Sequence, residues 1–344
     1  MLSAPRALED VMDLREIGEF GLINRIRKWI TSSDPALVQG IGDDVAVIEV
    51  REVGTKVLLV TTDILIEGIH FNRSWIAPYS LGRKSLAVNL SDIASMGGIP
   101  KYFLVSIGFP KNLPISFISS FYRGLKQEAK RFRVELIGGD TSLSQKIIIN
   151  ICLLGEGKKR DLLFRKGAKV GDDLFVSGTL GDAALGLKFL QEKKKKRGLE
   201  GLVKKHLSPS PRVKLGQAIA KHRYANAMID ISDGLLIDTS HLLEESGVGA
   251  RIWEDRIPLS RLYRKWIHSF SKDLFQFALT GGEDYELLFT APPEMRKRIS
   301  SLSHSLKILI THIGEILPKK EGLHIIRMDG KDYSPSHLGF DHFK

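Results

Sequence analysis

Aspartates that follow glycine or close an apolar run recur along this chain, and an ordinary core cannot bury them unaided. Gly42-Asp43-Asp44 precedes the apolar Val45-Ala46-Val47-Ile48, and Asp63 ends the strand-like Val57-Leu58-Leu59-Val60-Thr61-Thr62. Asp92 lies in Asn89-Leu90-Ser91-Asp92, Asp140 follows Gly138-Gly139, and Asp230 and Asp233 frame Asp230-Ile231-Ser232-Asp233-Gly234. One acid after a glycine is a turn residue or a helix cap. A series of them beside apolar segments is costly to bury unless each acid is paired or bound to metal. Small neighbours and strand-end positions point to carboxylates converging on divalent cations, with oxygen donors suited to Mg²⁺.

The 344 residues suffice for two cores, and a hydrophobic fraction of 43% is that of a globular chain. Cys152 is the only cysteine; it sits in an apolar run over 147–154 and reads as a core residue. A disulfide framework and a thiolate zinc site are thereby excluded within one chain, which fits a reducing compartment. No apolar stretch reaches membrane-spanning length, and residues 1–16 lack the hydrophobic centre of a signal peptide, so a cytoplasmic protein with no membrane partner is expected. The formal net charge of +11 invites a nucleic-acid reading. The basic residues are dispersed, however, apart from Lys193-Lys194-Lys195-Lys196-Arg197, which lacks interleaved aromatics and reads as a solvated loop or helix end. A positive surface equally steers a phosphate-rich small substrate. Charge alone does not choose between the two.

Helical spacing of Phe20, Ile23, Ile26 and Ile30 predicts an amphipathic helix over 18–30. Strands are expected at 45–50 and 57–61, a helix over 80–96, a strand at 104–108 and a helix over 118–132. Strands at 135–137 and 147–154 complete one α/β unit. The polar, basic, turn-rich stretch 155–169 is the expected boundary, dividing the chain into 1–157 and 158–344. In the second unit a strand at 174–177 leads through Gly178-Thr179-Leu180-Gly181-Asp182 into a helix, and Ser208-Pro209-Ser210-Pro211 opens another. A strand at 227–231, a helix over 235–246 stopped by Gly247, and strands at 285–290, 308–313 and 323–328 follow.

The chain has no G-x-x-x-x-G-K-[ST] loop, no H-E-x-x-H and no G-x-S-x-G elbow. Acidic loops with glycine-rich turns remain, and acids cannot hold a nucleotide directly. One carboxylate against one phosphate charge at 4 Å costs about 4 kcal/mol at an effective dielectric of 20. Metal ions bridging aspartates and phosphate oxygens reverse that sign and neutralise charge developing in phosphoryl transfer. The residues thus point to a Mg²⁺-dependent enzyme acting on phosphates and leave the acceptor open.

The segments Gly42-Asp43-Asp44, Thr61-Thr62-Asp63, Glu67-Gly68-Ile69-His70-Phe71 and Ala87 to Gly97 resemble the thiamine-monophosphate kinases. So do Leu136-Ile137-Gly138-Gly139-Asp140-Thr141, Asp230-Ile231-Ser232-Asp233-Gly234-Leu235 and Gly281-Gly282-Glu283-Asp284-Tyr285-Glu286-Leu287, in one order from Gly18 to Phe343. The resemblance implies the two-domain α/β fold of the aminoimidazole ribonucleotide synthetase superfamily. In it an N-terminal α/β domain (here 1–157) binds ATP and metal and dimerises through its sheet. The C-terminal α/β sandwich (158–344) adds metal and substrate contacts. The implied reaction is ATP plus thiamine monophosphate giving ADP and thiamine diphosphate, in a homodimer using several Mg²⁺ ions.

By the family pattern Asp44, Thr61, Thr62, Asp63, Asp92, Asp140, Asp230 and Asp233 are implied metal ligands. Tyr122, Gly139, Asp140, Arg165 and Ser232 are implied ATP contacts, and His70, Glu283 and Phe340 implied thiamine-side contacts. No covalent nucleophile is expected, since a phosphate acceptor is already an anionic oxygen nucleophile and transfer can be direct. The family usually ends in Gly-Tyr-Asp-His-Phe, whereas this chain has Gly339-Phe340-Asp341-His342-Phe343; a ring still stacks without its hydroxyl. The alternatives are another ATP-using member of the same superfamily and a non-catalytic basic nucleic-acid binder. The second leaves the ordered aspartates unexplained, and no nucleic-acid partner is expected.

Overall fold

The computed structural model describes residues 21–24, 35–49, 55–192, 198–333 and 338–340. Of the helix expected over 18–30, residues 21–24 are described and are helical; the rest, with the segment before Gly18 and the run 193–197, lies outside the described residues.

Eleven-residue strands with strict alternation build the first sheet. In β6 (Ile148–Lys158), Ile149, Ile151 and Leu153 are buried while Ile148, Asn150, Cys152 and Leu154 are half-buried on the other face. β3 (Lys56–Ile66) and β4 (Ile99–Phe109) flank it antiparallel. With β1 (Leu37–Gln39), β2 (Ala46–Glu49) and β5 (Glu135–Leu143) the order is β1-β2-β3-β6-β4-β5. Only one face is covered by helices, chiefly α1 (Pro78–Ser95), which lies on β3 and β6 with α2 (Ile115–Phe132) packed against it.

The crossing of α1 and α2 is set by glycine. A Cβ at Gly82 would meet the Phe121 carbonyl at 2.0 Å, and one at Gly124 would meet the Tyr79 carbonyl at 1.8 Å. The backbones therefore touch, and no side chain fits between them.

The second sheet follows the order β13-β12-β9-β11-β7-β10-β8, with β7 (Asp173–Ser177), β10 (Glu286–Ala291) and β8 (Ala227–Ile231) buried at every position. Helices α3 (Asp182–Gln191), α4 (Glu200–Leu207), α5 (Val213–His222) and α6 (Leu235–Ser246) follow in sequence, the last capped by Gly247 in the left-handed conformation. β9 (Val248–Trp253), β11 (Ile310–Pro318), β12 (Leu323–Ile326) and β13 (Asp332–Tyr333) complete the sheet. α1 also packs on α5 and β8, so it is enclosed by the first sheet on one side and by the second unit on the other. That is why thirteen of its residues are buried, polar ones among them.

Several elements depart from the sequence reading, the helix Arg296–Leu306 among them. Gly138-Gly139-Asp140 continues a strand rather than leaving it: β5 runs to Leu143 beside β4 in parallel, and a Cβ at Gly139 would meet the Val105 carbonyl at 2.0 Å. Helix α4 and strand β9 were not anticipated; α4 buries only Leu202 and His206, too little for a visible apolar stripe.

Gly124→Ala should force the two helices apart and destabilise the protein by about 1–3 kcal/mol, the usual range for overpacking. A thermal melt of the variant within a degree of wild type would show that the crossing has slack.

Candidate active site

Four of the expected metal-ligand aspartates converge from a turn and three elements. Asp44 follows the turn before β2, Asp63 lies on β3, Asp92 on α1 and Asp230 on β8 of the second sheet. Asp44 is held by the chain's own donors: Ser95 Oγ at 2.6 Å from Oδ2, and Arg165, whose Nε lies 3.1 Å from Oδ1. Thr61 donates to Asp92 Oδ2 at 2.6 Å and reaches the Asp44 carbonyl at 3.3 Å. The Asp63 amide donates to Asn89 Oδ1 at 3.1 Å. Burial, reinforced by Asp44, pushes the Asp63 carboxyl up to about 6. Burial and the charges of Asp63, Asp230 and Asp44 raise Asp92 well above the carboxylate range. Asp230 is raised in the same way, with Ser91 partly offsetting the shift.

Beside these acids lies a cavity of about 540 Å³ between the two units. Asp63, Asp92, Ser232 and Asp233 line one part, and His70, Glu283 and Phe340 line it as well. The backbone fixes each of the last three. His70 sits in the tight turn after β3, its Nδ1 accepting the Ile66 amide at 3.0 Å. The Phe340 amide donates to the Asp233 carbonyl at 3.0 Å, seating the chain's last described residues against the 230–234 loop. The Glu283 amide donates to the Ser232 carbonyl at 2.7 Å, and a Cβ at Gly282 would meet that same carbonyl at 2.4 Å. Glu283 itself has φ +67, a left-handed conformation costly for a residue with a Cβ.

The sequence reading missed what Glu283 touches. Lys84, fully buried on α1, places Nζ 2.8 Å from Oε1, and His206 on α4 places Nδ1 2.5 Å from Oε2. Burial alone would raise this carboxyl, but Lys84 and His206 beside it outweigh burial and bring it down to about 2. The signal was present as a polar residue in a helix that must be buried all round, since Lys84, Ser85, Asn89, Ser91 and Ser95 are all inaccessible. Asp238 was missed too: it accepts the amides of Asp233 at 3.2 Å and Gly234 at 3.0 Å, shaping the loop.

Other expected site residues stand apart within one chain. Asp140 and Gly139 are on exposed β5, three strands from β3 and therefore about 14 Å from Asp63 at ordinary strand spacing. Tyr122 lies on α2, edge-on to Phe121, and does not line the cavity. Thr62 lines the cavity, and its hydroxyl accepts from Asn150 at 2.9 Å. Arg165 engages Asp44, so an expected nucleotide contact is paired with an expected metal ligand.

The model of the AIR synthase related protein N-terminal domain matches residues 42–156, and that of the C-terminal domain matches residues 169–326. The chain is 40% identical to thiamine-monophosphate kinase of Aquifex aeolicus over 334 residues, covering 96% of this chain and 100% of the relative. It is 37% identical to thiamine-monophosphate kinase of Escherichia coli K12 over 329 residues, 95% of this chain and 98% of the relative. The solved structure of AaThiL complexed with AMPPCP and TMP superposes with a TM-score of 0.84 at 40% identity, covering 96% of this chain and 99% of that one.

Among the described residues no three His, Cys, Asp or Glu side chains stand close enough to enclose an ion as they are placed. The donor set nevertheless fits a hard divalent cation: oxygen ligands only, desolvated, and mutually repelling until positive charge arrives. Asp63 and Asp43, whose carboxyl is pushed up to about 7 by burial and by Asp44, bind protons more tightly folded than unfolded. Their protonation therefore favours the folded form, and the advantage is lost as pH rises through 6 to 7. Metal-free protein should melt higher at pH 5.5 than at pH 8, and Asp63→Asn should raise the pH 8 melting temperature while abolishing any stabilisation by added Mg²⁺. A lower melting temperature for metal-free Asp63→Asn would mean that the carboxylates are structurally paired rather than repelling.

Proposed function

We propose that this chain, which belongs to the AIR synthase related family and within it to the thiamine-monophosphate kinases, transfers the γ-phosphoryl group of ATP to thiamine monophosphate, giving thiamine diphosphate and ADP. The observation that carries the reading is the shared cavity: aspartates suited to a phosphate-bound cation and the acceptor-side His70, Glu283 and Phe340 open onto one space. A donor and a phosphate acceptor can meet there without either leaving the site.

Asp44, Asp63, Asp92, Asp230 and Asp233 hold Mg²⁺ on this reading, with Thr61 positioned on Asp92 to assist. Bound there, the cations would cancel the repulsion between triphosphate, acceptor phosphate and carboxylates. Ser232 and Arg165 face the nucleotide on this reading, the guanidinium standing at the acids with Asp44 taking its Nε. His70, held through Nδ1 by the backbone, presents a fixed ring to the acceptor. Transfer is direct: the acceptor's phosphate oxygen attacks in line, and the residues supply alignment rather than a nucleophile.

The working unit on this reading is a homodimer. The sheet face away from α1 leaves Ile64 and Tyr102 each 46% exposed, and the edge strand β5 leaves Leu136 45% and Ile137 54% exposed, apolar surface of the kind a partner covers. Thr62, Gly139 and Asp140 lie on that sheet, and Tyr122 beside it on α2, so pairing would bring them toward a second copy's site. Use of ATP and the single cysteine fit the cytoplasm; among the described residues no helix is long and apolar enough to cross a membrane. The basic nucleic-acid reading is not favoured, since it assigns no role to the ordered aspartates.

Purified protein with Mg²⁺ and ATP should convert thiamine monophosphate to thiamine diphosphate, followed by chromatography of the products, and leave free thiamine unphosphorylated. Equal or faster turnover of free thiamine would overturn the acceptor assignment. Tyr102→Glu should shift the protein from dimer to monomer in sedimentation velocity; a dimer of unchanged stability would place the contact elsewhere.

A further inference from the structure

A second cavity, of about 410 Å³, shares no lining residue with the first. Its wall comes from three helices and a loop: Arg83 of α1, Arg131 near the end of α2, Lys204 and Lys205 of α4, and Ser208 and Ser210 just beyond α4. Among the described residues, no acid and no aromatic ring lines it.

The acids that belong to these cations are behind the wall. Glu128 is fully buried and takes Arg83 Nε at 2.7 Å and Arg131 Nη1 at 3.0 Å. Glu286, equally buried, takes Lys205 Nζ at 3.3 Å and Arg212 Nε at 2.5 Å. Four cations, Arg83, Arg131, Lys204 and Lys205, thus line the cavity in front of two carboxylates, one of which Arg212 engages from outside it. Arg131 Nη2 also donates to Ser210 Oγ at 2.9 Å, which holds the guanidinium fork and a hydroxyl side by side. Prolines at 209 and 211 stiffen the loop that carries both serines.

We propose that this cavity binds a small molecule through a phosphate or diphosphate group. Planar guanidinium forks, lysine point charges and hydroxyl donors converging on one space are the donor set that tetrahedral oxyanions require. The volume lies within the range of small-molecule sites, about 300–1,000 Å³. A nucleic acid is disfavoured because the site is a hollow without a stacking ring rather than a basic track with aromatics. The occupant would also meet the acceptor side of the first cavity indirectly. Arg83 precedes Lys84 and Lys205 precedes His206, so the oxyanion would draw together the two helices that hold Glu283.

Isothermal titration of the full-length, metal-free protein with diphosphate at matched ionic strength tests this. Without divalent cations the aspartates of the first cavity repel an anion, which isolates the second. Wild type should bind one diphosphate per chain. Lys204→Glu should weaken binding at least tenfold and Lys204→Arg should retain it; Lys204 is exposed, so neither change threatens the core. If Lys204→Glu fails to fold, as judged by circular dichroism, Lys204→Ala and Arg131→Ala carry the same comparison. Absence of binding in wild type, unchanged affinity in the variants, or displacement of diphosphate by a short single-stranded oligonucleotide at lower concentration would overturn the proposal.

Discussion

The costliest feature of this molecule is like charge removed from water at the junction of two domains. Asp44, Asp63 and Asp92 come from the first and Asp230 from the second, and each of the last three carries a carboxyl pushed upward by burial and by its neighbours. A single repulsive pair at 4 Å is worth about 4 kcal/mol at an effective dielectric of 20, set against a typical folding stability of about 5–15 kcal/mol. The chain offsets part of this with Arg165, Thr61, Ser95 and Ser91 and leaves the rest uncompensated. On the proposed reading, a cation, and through it a polyphosphate, would relieve that remaining repulsion on binding.

Holding repelling groups together demands a scaffold that cannot relax, and α1 provides it. Its Gly82 and Gly124 of α2 let backbone meet backbone, while Gly216 of α5 lies so close that a Cβ there would meet the Ala94 carbonyl at 1.9 Å. Enclosed on all sides, the helix can carry polar side chains only where each finds a partner. Lys84 reaches Glu283, Asn89 takes the Asp63 amide and donates to the Ser85 carbonyl, Asp92 takes Thr61, and Ser95 takes Asp44. The same helix therefore joins the two domains and spaces the site.

Elements with strong periodicity were legible in the sequence: α1 over 78–95 against an expected 80–96, α6 over 235–246, and β8 over 227–231. The recurring aspartates likewise announced a charged cleft, and four of them meet. What failed to show was anything set by distant pairing. Two glycines read as the end of a strand, yet β4 accepts them as neighbours, so β5 continues through Asp140. That continuation carries Asp140 to the sheet edge, away from Asp63, which no local pattern reveals. His206 gave no local signal, because its partner Glu283 lies 77 positions on and the lysine that shares that carboxylate, Lys84, lies 122 positions back.

Glu283 shows how far a motif residue's chemistry depends on partners the motif does not contain. Alone, a carboxylate opening a glycine-rich loop invites the cationic part of an acceptor. Here its charge is already answered by Lys84 and His206, which hold the carboxyl ionised at about 2 despite burial. A group so compensated attracts a second cation weakly, and its unusual backbone conformation is maintained by the Ser232 and Gly282 contacts rather than by a ligand. What it offers an acceptor is an oriented hydrogen-bond acceptor on a rigid loop. On the proposed reading, attraction for a positively charged ring would fall to the aromatic rings that line the same cavity, Phe340 and Trp75. On that reading Glu283 would orient the acceptor, and the rings beside it would recognise its charge.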